Sequence, residues 1–118
     1  MFERLVDEDF AYLTTVGRKS GRRHRIEIWF ALRGRRVYLL SGGGDSADWV
    51  KNIVWNSRVR IQVGSRSVAA RGRIVKRDAE DRLARELLDA KYMDWRPGRR
   101  LSAWARNAVP VAIDLPAD

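Results

Sequence analysis

Two glycine-bracketed turns carry the residues best suited to chemistry in this chain. Residues 17–24 read Gly-Arg-Lys-Ser-Gly-Arg-Arg-His and follow an apolar, threonine-rich run. Residues 41–49 read Ser-Gly-Gly-Gly-Asp-Ser-Ala-Asp-Trp and follow a second apolar run. Glycines let backbone N–H groups approach an anion closely, and basic side chains add charge to that cradle. Two such turns at strand ends predict a site for a large phosphorylated ligand.

The first turn supplies five candidate ligand-binding residues, and His24 opens the next strand. The five are Arg18, Lys19, Ser20, Arg22 and Arg23. Arginine and lysine bind phosphate or carboxylate groups through charge-assisted hydrogen bonds. The turn is not a Walker loop, because the spacing Gly-x4-Gly-Lys-Ser/Thr is absent. The alternative is an arginine-rich hairpin turn that faces water.

The second turn opens a predicted helix, whose free N–H groups attract anions. Its candidate residues are Ser41, Gly42, Gly43 and Gly44. Early in the helix, Trp49 offers a flat apolar wall, and Asn52 offers an amide that both donates and accepts. The alternatives are a loop that only leads into the helix, a tryptophan that anchors the core and an asparagine that braces the loop.

A pair of aromatic residues, Tyr92 and Trp95, lies three positions apart near the end of a mildly acidic predicted helix. If this helix covers the mouth of a pocket, the two side chains shape its substrate side. The alternative is that they pack against the sheet.

Composition excludes several kinds of site. The 118 residues include no cysteine and one histidine, so thiol nucleophiles, disulfides and thiolate metal sites are absent. A zinc site or a Ser-His-Asp triad would depend on His24 alone, and we predict no metal. No apolar run reaches membrane-span length and the first nine residues lack a signal-peptide core, so we expect a cytoplasmic, single-domain protein over residues 1–118.

The net charge of +9 is unevenly distributed and suggests a polyanionic partner, although solubility charge explains it too. Residues 49–77 contain no acidic residue, whereas residues 78–94 are mildly acidic. A basic stripe at positions 58, 60, 71 and 73 leaves a nucleic-acid binder as one alternative. Against it, the chain lacks a helix-turn-helix pattern and an exposed aromatic strand motif, so we expect no nucleic-acid partner.

Periodicity predicts six strands and two or three helices. Period-two alternation predicts one long strand from Ile26 to Arg33, followed by a hairpin and a helix capped by Asp45 or Ser46. Two further strands precede a helix capped by Asp78, and a final strand contains Pro110 at an edge or at one unpaired position. This order predicts an α+β fold, a mainly antiparallel six-stranded split β-barrel with a helix inserted after the third strand.

Together these residues resemble the deazaflavin (coenzyme F420)-dependent nitroreductase/quinone reductase family, which has a split β-barrel fold related to flavin reductases. The order and spacing of six short segments carry the resemblance across roughly residues 10–115. They are residues 13–21 (Leu-Thr-Thr-Val-Gly-Arg-Lys-Ser-Gly), 28–30 (Ile-Trp-Phe), 41–44 (Ser-Gly-Gly-Gly), 48–52 (Asp-Trp-Val-Lys-Asn), 56–59 (Asn-Ser-Arg-Val) and 109–111 (Val-Pro-Val).

The resemblance implies roles for the candidate residues. Arg18, Lys19, Ser20 and His24 would hold the phosphate and acidic tail of the coenzyme. The loop from Ser41 to Gly44 would contact the phosphate and the ring edge, Trp49 and Asn52 would support the deazaflavin, and Tyr92 and Trp95 would line the substrate pocket. Two features depart from the family: the second loop is shorter and lacks a lysine, and His24 replaces an arginine, which makes one charge pH-dependent.

The resemblance further implies an oxidoreductase that passes hydride from a reduced deazaflavin to a quinone, nitro compound or activated alkene. FMN is the alternative cofactor, since the fold is shared. A non-catalytic binder of flavin, deazaflavin or a fatty-acid-like ligand is the alternative function. We expect no membrane docking, because the amphipathic N-terminal extension of some family members is missing. The sequence does not decide whether the protein forms a homodimer. Trp55 would lie at the dimer contact or in the core.

Overall fold

A computed structural model describes residues 3–117, so the outermost positions of the predicted 1–118 domain lie outside it. Seven strands form one antiparallel sheet: β1 (Ala11–Val16), β2 (Arg23–Ile28), β3 (Ala31–Arg33), β4 (Arg36–Ser41), β5 (Arg58–Val63), β6 (Arg66–Ile74) and β7 (Val109–Asp114). Three α-helices accompany it: α1 (Asp48–Trp55), α2 (Asp78–Tyr92) and α3 (Ala103–Asn107). Among these described residues, no helix is long and apolar enough to cross a bilayer.

The sheet curls because its two edges are tied together. The strand order β2-β1-β5-β6-β7-β4-β3 places β2 and β3 at opposite edges. Residues 29 and 30 join them, and this connection reaches about 10 Å at full extension. Seven strands about 4.8 Å apart would be about 29 Å wide if flat. The sheet therefore closes into a half-barrel, which confirms the predicted α+β, mainly antiparallel class.

The predicted count of six strands is wrong, because the single strand expected from Ile26 to Arg33 is two strands. β2 ends at Ile28 on one edge of the sheet and β3 begins at Ala31 on the other. The apolar alternation continues through the break because Phe30, inside the connection, is fully buried. An apolar residue that is buried in a connection gives the same alternating sequence pattern as one that is buried in a strand, so periodicity alone could not detect the break.

Pro110 lies in an interior strand, so its predicted place at an edge is wrong. β7 runs between β6 and β4, and Pro110 is in register with Leu40. Its carbonyl accepts the N–H of Val75 at 3.0 Å. The alternative expectation is correct: Pro110 occupies one position of the strand ladder that has no N–H donor.

Two apolar cores lie on the two faces of the sheet. The inner core fills the curl between the sheet and α1, and its buried members are Ala11, Leu13, Phe30, Val37, Leu39, Val50, Ile53, Val59, Ile61, Val63, Val111 and Ile113. The outer core lies under α2 and α3, and its buried members are Ala31, Tyr38, Leu40, Val75, Ala84, Leu88, Ala105, Ala108 and Ala112. β4 is buried on both faces because its side chains alternate between the two cores.

Helix α1 docks closely on the inner face at Gly72. A Cβ atom at Gly72 would lie 3.1 Å from Ile53 and 3.2 Å from Ile113, so the helix approaches β6 where a side chain is missing. Gly72 itself pairs regularly with Ile113 of β7. Its function is therefore close helix–sheet packing.

The predicted helix caps at Asp45, Ser46 and Asp78 are wrong. The residues before α1 and α2 are Ala47 and Arg77, and neither helix has a side-chain cap. Asp48 and Asp78 instead occupy the first turns, where a carboxylate interacts favourably with the helix dipole.

Candidate functional site

The turn between β1 and β2 is closed by its own backbone. Gly17 N–H donates to the carbonyl of Arg22 and Gly21 N–H donates to the carbonyl of Gly17, each at 2.8 Å. Gly21 has φ +70°, in the left-handed region that favours glycine. A Cβ atom at Gly17 would lie 2.5 Å from the Nε2 of His24, so that ring occupies the space a side chain would need.

Ser20 organises the exposed end of this turn. Its hydroxyl lies 3.2 Å from His24 Nε2 and accepts the N–H of Arg22 at 3.1 Å. Both side chains are exposed, so they are oriented and reachable from solvent. Such a pair can donate to an anion placed beside the turn.

Asn52 on α1 holds the turn from below. Its side chain is 4% exposed, and its Oδ1 accepts from the backbone N–H of Arg18 at 3.2 Å and from Arg18 Nη1 at 3.0 Å. Its Nδ2 donates to the hydroxyl of Thr15 at 3.2 Å. The alternative of a bracing asparagine therefore describes its contacts, and α1 and the turn form one unit.

The charges of Arg18 and Lys19 are used differently. Arg18 Nη2 pairs with the carboxylate of Asp48 at 3.2 Å, and its side chain is 22% exposed. Lys19 is exposed, and no salt bridge joins it to the carboxylates of the part of the chain that the structure describes. Lys19 is therefore the turn cation most available to a ligand.

A cleft of about 670 Å³ lies between this turn, β2 and the start of α1. Six predicted site residues line it: Arg18, Lys19, Ser20, His24, Trp49 and Asn52. Arg23, which the first turn also offered, lines it too. Five lining residues were not predicted: Thr15, Gly17, Arg25, Ile26 and Asp48. Ile26 could have been predicted as a lining residue from the sequence. It follows His24 by two positions on the same strand, so both side chains lie on the inner face of β2.

The cleft combines positive charge with apolar walls. Lys19, Arg23 and Arg25 are exposed cations at its rim. Trp49 is half-buried and packs against the inner core, so one part of its ring faces the protein while the residue also lines the cleft. A planar, anionic ligand needs this combination of a flat apolar wall and nearby cations.

The second glycine turn does not contribute to the lining of this cleft. Ser41 is buried, and its hydroxyl donates to the carbonyl of Gly44 at 2.7 Å, which closes the loop on itself. Gly42 is exposed and lies against Trp104, to which an added Cβ would come within 3.9 Å. The structure thus places Gly42 beside Trp104 of α3 and Gly43 beside Ala47.

Tyr92 stacks on Trp29, with ring centroids 4.4 Å apart and planes within 1° of parallel. Its hydroxyl accepts the N–H of Phe30 at 3.0 Å and lies 2.9 Å from the carbonyl oxygen of Asp9. Burial raises the pKa of Tyr92, so the hydroxyl keeps its proton. Its contacts tie α2 to the connection between the sheet edges.

Trp95 lines a different cleft, of about 580 Å³, together with residues of α2 and the segment before α3. Its Nε1 donates to the carbonyl of Arg99 at 2.8 Å. The structure therefore does not bring Trp95 to the cleft that holds Trp49.

Comparison with known families gives one match that spans almost the whole chain. The F420H2-dependent quinone reductase family matches residues 2–116. The chain belongs to this family. It is an oxidoreductase that depends on the deazaflavin coenzyme F420, as the resemblance implied.

Solved structures share the fold at low sequence identity. An F420 reductase is 21% identical, with a TM-score of 0.65 over 98% of this chain and 93% of its own. An F420-H2 dependent reductase is 16% identical, with a TM-score of 0.69 over 90% of this chain and 94% of its own. A conserved hypothetical protein of Mycobacterium tuberculosis is 16% identical, with a TM-score of 0.74 over 97% of this chain and 78% of its own. The search of curated proteins gives no match.

The donor chemistry of the cleft fits this coenzyme. A deazaflavin nucleotide presents a flat heterocycle and an anionic arm, and the cleft offers Trp49 and Ile26 beside Lys19 and Arg23. Its one acidic lining residue, Asp48, is already paired with Arg18. The volume lies in the range of ordinary cofactor pockets.

Proposed function

We propose that this enzyme reduces a small acceptor, such as a quinone, a nitro compound or an activated alkene, with coenzyme F420 held in the cleft between the β1–β2 turn and α1. The observation that carries the proposal is the cleft itself, where exposed cations of the turn adjoin the half-buried indole of Trp49. The reduced coenzyme supplies the hydride, so the protein needs no nucleophile and no metal of its own.

The residues of the turn bind and orient. Lys19, Ser20 and His24 would donate hydrogen bonds to the phosphate. Arg18 would contribute less, because its guanidinium is already paired with the carboxylate of Asp48. Asn52 holds the turn in place on α1 by accepting the backbone N–H of Arg18. Trp49 and Ile26 would provide apolar walls for the heterocycle and help to keep water from it.

The other predicted residues take outer positions. Gly42 lies against Trp104, and Trp104 meets Trp29 of the Trp29–Tyr92 stack edge-on at 5.4 Å. An acceptor would approach over this aromatic group. Tyr92 contributes its ring there, since main-chain groups occupy its hydroxyl. A proton for the acceptor would then come from water, because main-chain groups already contact the Tyr92 hydroxyl. Trp95 as a substrate-lining residue stays a prediction.

Titration of the purified protein with oxidised and reduced F420 tests the site. Lys19→Gln should weaken coenzyme binding about tenfold, because one charge-assisted hydrogen bond is lost. Lys51→Gln is the matched control, since Lys51 is an exposed lysine of α1 outside the cleft. Equal affinity of the Lys19→Gln variant and the wild type would remove the turn from the site.

A panel of acceptors separates the enzyme from a binder. The expected result is oxidation of reduced F420 at 420 nm absorbance by at least one quinone, nitro compound or activated alkene at a rate above the uncatalysed one. Tight coenzyme binding with no acceptor reduced would favour the non-catalytic alternative. Parallel titration with FMN tests the other cofactor, and tighter binding of FMN would overturn the choice of deazaflavin.

A further inference from the structure

A second cleft lies between α2 and the segment that leads into α3. Its volume is about 580 Å³, which is in the range of ordinary ligand pockets. We call it the Trp95 cleft, after the indole in its wall. Nine residues line it, and none of them lines the candidate coenzyme cleft: Asp78, Asp81, Arg82, Arg85, Trp95, Arg99, Arg100, Leu101 and Arg106. An occupant of the Trp95 cleft would therefore lie apart from the coenzyme.

The lining of the Trp95 cleft is cationic, because it contains five arginines and two aspartates. Arg85 is used within the protein. Its Nε pairs with Asp81 at 2.6 Å, and its Nη1 donates to the carbonyls of Ala105 and Ala108 at 2.6 and 2.8 Å. Its side chain is only 17% exposed. This arginine therefore joins α2 to α3 and forms a fixed part of the cleft wall.

Three other arginines of the cleft keep donors for a ligand: Arg99, Arg100 and Arg106. All three are exposed, and the salt bridges among residues 3–117 join none of them to a carboxylate. Arg106 Nη1 donates to the carbonyl of Leu101, which orients this guanidinium and leaves its other N–H groups available. Guanidinium groups bind carboxylates through two parallel hydrogen bonds, so this rim favours a planar anionic group.

The chain that carries Arg99 and Arg100 is held in a fixed shape. The carboxylate of Asp89 is 1% exposed, and it accepts the backbone N–H of Ser102 at 2.7 Å and the Ser102 hydroxyl at 2.6 Å. The carbonyl of Asp89 accepts the N–H of Trp95 at 3.1 Å. One buried aspartate of α2 thus fastens both ends of residues 95–102. A site that is ordered before binding loses less entropy when a ligand arrives.

Trp95 gives the cleft a flat apolar wall. The side chain is half-buried, and its Nε1 donates to the carbonyl of Arg99 at 2.8 Å, which fixes the plane of the indole. Within the described residues, Trp95 neither belongs to one of the two apolar cores nor packs against one. The alternative that it packs against the sheet therefore does not account for its position. A large aromatic ring that is held in place outside both cores is available to stack on a ligand.

We propose that the Trp95 cleft binds a second small molecule, a flat aromatic carboxylate, with its ring on the indole and its carboxylate at the guanidinium groups of Arg99, Arg100 and Arg106. Asp78 also lines the cleft, and no salt bridge among residues 3–117 neutralises it, which disfavours a ligand with several negative charges. Hydride transfer requires contact with the coenzyme, so this second ligand is bound without being reduced. The site does not depend on where the coenzyme binds.

NMR of isotope-labelled protein locates binding at a single indole. The chain has five tryptophans, and Trp95→Phe identifies the N–H signal of Trp95. Naphthoate should shift this signal, and the concentration dependence of the shift gives the Kd at this cleft even if the probe also binds elsewhere. Naphthamide lacks the charge and decalin carboxylate lacks the flat ring, so each should bind about fivefold more weakly.

The double variant Arg99→Gln, Arg100→Gln should weaken naphthoate binding at Trp95 about fivefold, because two charged donors are lost. The matched control is Arg33→Gln, Arg35→Gln, which removes the same charge at exposed positions beside the β3–β4 turn, outside the cleft. Its affinity should equal that of the wild type. Thermal unfolding of both variants checks that the fold is kept, since all four positions are exposed.

Several outcomes would overturn the inference. A Trp95 signal that does not move at millimolar naphthoate leaves the cleft without this ligand. An equal loss of affinity in the control variant would make general charge responsible. Tighter binding of adenosine monophosphate than of naphthoate would assign the cleft to nucleotides. A naphthoquinone that displaces naphthoate from Trp95 would make the cleft part of the acceptor site. Titration of the same samples with F420 tests the proposed function separately.

Discussion

Asn52 shows how one buried amide can position a ligand-binding turn without touching the ligand. Its carbonyl oxygen accepts from two N–H groups of Arg18 and its NH2 group donates to Thr15, so both ends of the amide are used. Burial makes these bonds hard to replace, because water does not reach a group that is 4% exposed.

Asn52→Ala should therefore lower the free energy of unfolding by about 1–3 kcal/mol, since the N–H of Arg18 and the hydroxyl of Thr15 lose their partner. Coenzyme affinity should fall more than stability alone explains, because the turn is released from α1. Urea denaturation and F420 titration measure the two effects. Asn107→Ala, at an exposed position, is the control. An unchanged coenzyme affinity would show that Asn52 does not position the turn.

Tyr92 differs from Asn52 because its hydroxyl could in principle transfer a proton, whereas its observed contacts are structural. Tyr92→Phe removes the acceptor of the Phe30 N–H and the bond to the Asp9 carbonyl, so we expect a loss of about 1–2 kcal/mol in unfolding free energy. The stacked ring is kept, so turnover at saturating substrate should change less than twofold. Stopped-flow oxidation of reduced F420 measures it. A large fall in that rate with a normal protein stability would make the hydroxyl a proton donor.

Residue type and spacing predicted seven of the cleft-lining residues, because the turn and the helix start are each contiguous in sequence. Arg25 and Asp48 could not be found in this way. Arg25 belongs to the cleft through the curl of β2, and Asp48 through its pair with Arg18 thirty residues earlier. The curvature of the sheet and the ion pair between Arg18 and Asp48 both depend on tertiary structure, which local sequence patterns do not reveal.

At the scale of elements, a network of charges fastens α2 to the sheet. Glu80 of α2 receives two hydrogen bonds from Arg73 of β6, at 2.7 and 2.9 Å, and one from the Tyr38 hydroxyl of β4 at 2.8 Å. Arg73 also bonds Asp114 of β7 at 2.7 Å. The side chain of Glu80 is only 11% exposed, so solvent screens these contacts weakly.

This network predicts a pH-dependent stability. The Arg73 guanidinium, foremost among the contacts, lowers the pKa of Glu80 from 4.5 to about 2. The folded state therefore binds fewer protons than the unfolded state between these values, and stability falls as the pH drops from about 4.5 to about 2. Glu80→Gln should cost about 2–3 kcal/mol at neutral pH and progressively less in that acid range.

Denaturation curves from pH 7 to pH 2 measure this dependence. The control is Glu86→Gln on the same helix. Glu86 pairs with Arg82, which is 78% exposed, in an i,i+4 bridge, so this substitution should cost under about 0.5 kcal/mol. An acid limb that is identical in wild type and Glu80→Gln would place the pH dependence elsewhere.

Sequence periodicity predicted the elements well where one face of each element is buried. Helix α2 has an apolar stripe at helical spacing that belongs to the outer core or packs against it: Leu83, Leu87, Leu88 and Tyr92. It failed where a segment changes neighbours without changing its pattern, as at Trp29 and Phe30. Pro110 illustrates a related limit: a proline marks a missing donor, and long-range pairing decides whether that position is an edge.

At the scale of the whole molecule, two residues close the half-barrel. Trp29 and Phe30 connect one sheet edge to the other. Two residues of α2 hold this connection by hydrogen bonds to the main chain of Phe30: Tyr92 accepts its N–H and Lys91 donates to its carbonyl. Lys91 Nζ lies 3.6 Å above the Phe30 ring, and burial lowers the pKa of its ammonium group. Phe30 is in the inner core while its neighbour Ala31 is in the outer one. The crossing therefore couples both cores.

Phe30→Ala should destabilise the molecule as a whole, by about 3–5 kcal/mol, because a fully buried ring is removed from the point where the two sheet edges meet. We expect β2 and β3, which are far apart in the strand order, to lose hydrogen-exchange protection together. Phe10→Ala is the matched control, since Phe10 is 42% exposed and should cost under about 1 kcal/mol. Loss of protection confined to β3, with β2 unaffected, would mean that the crossing does not close the barrel.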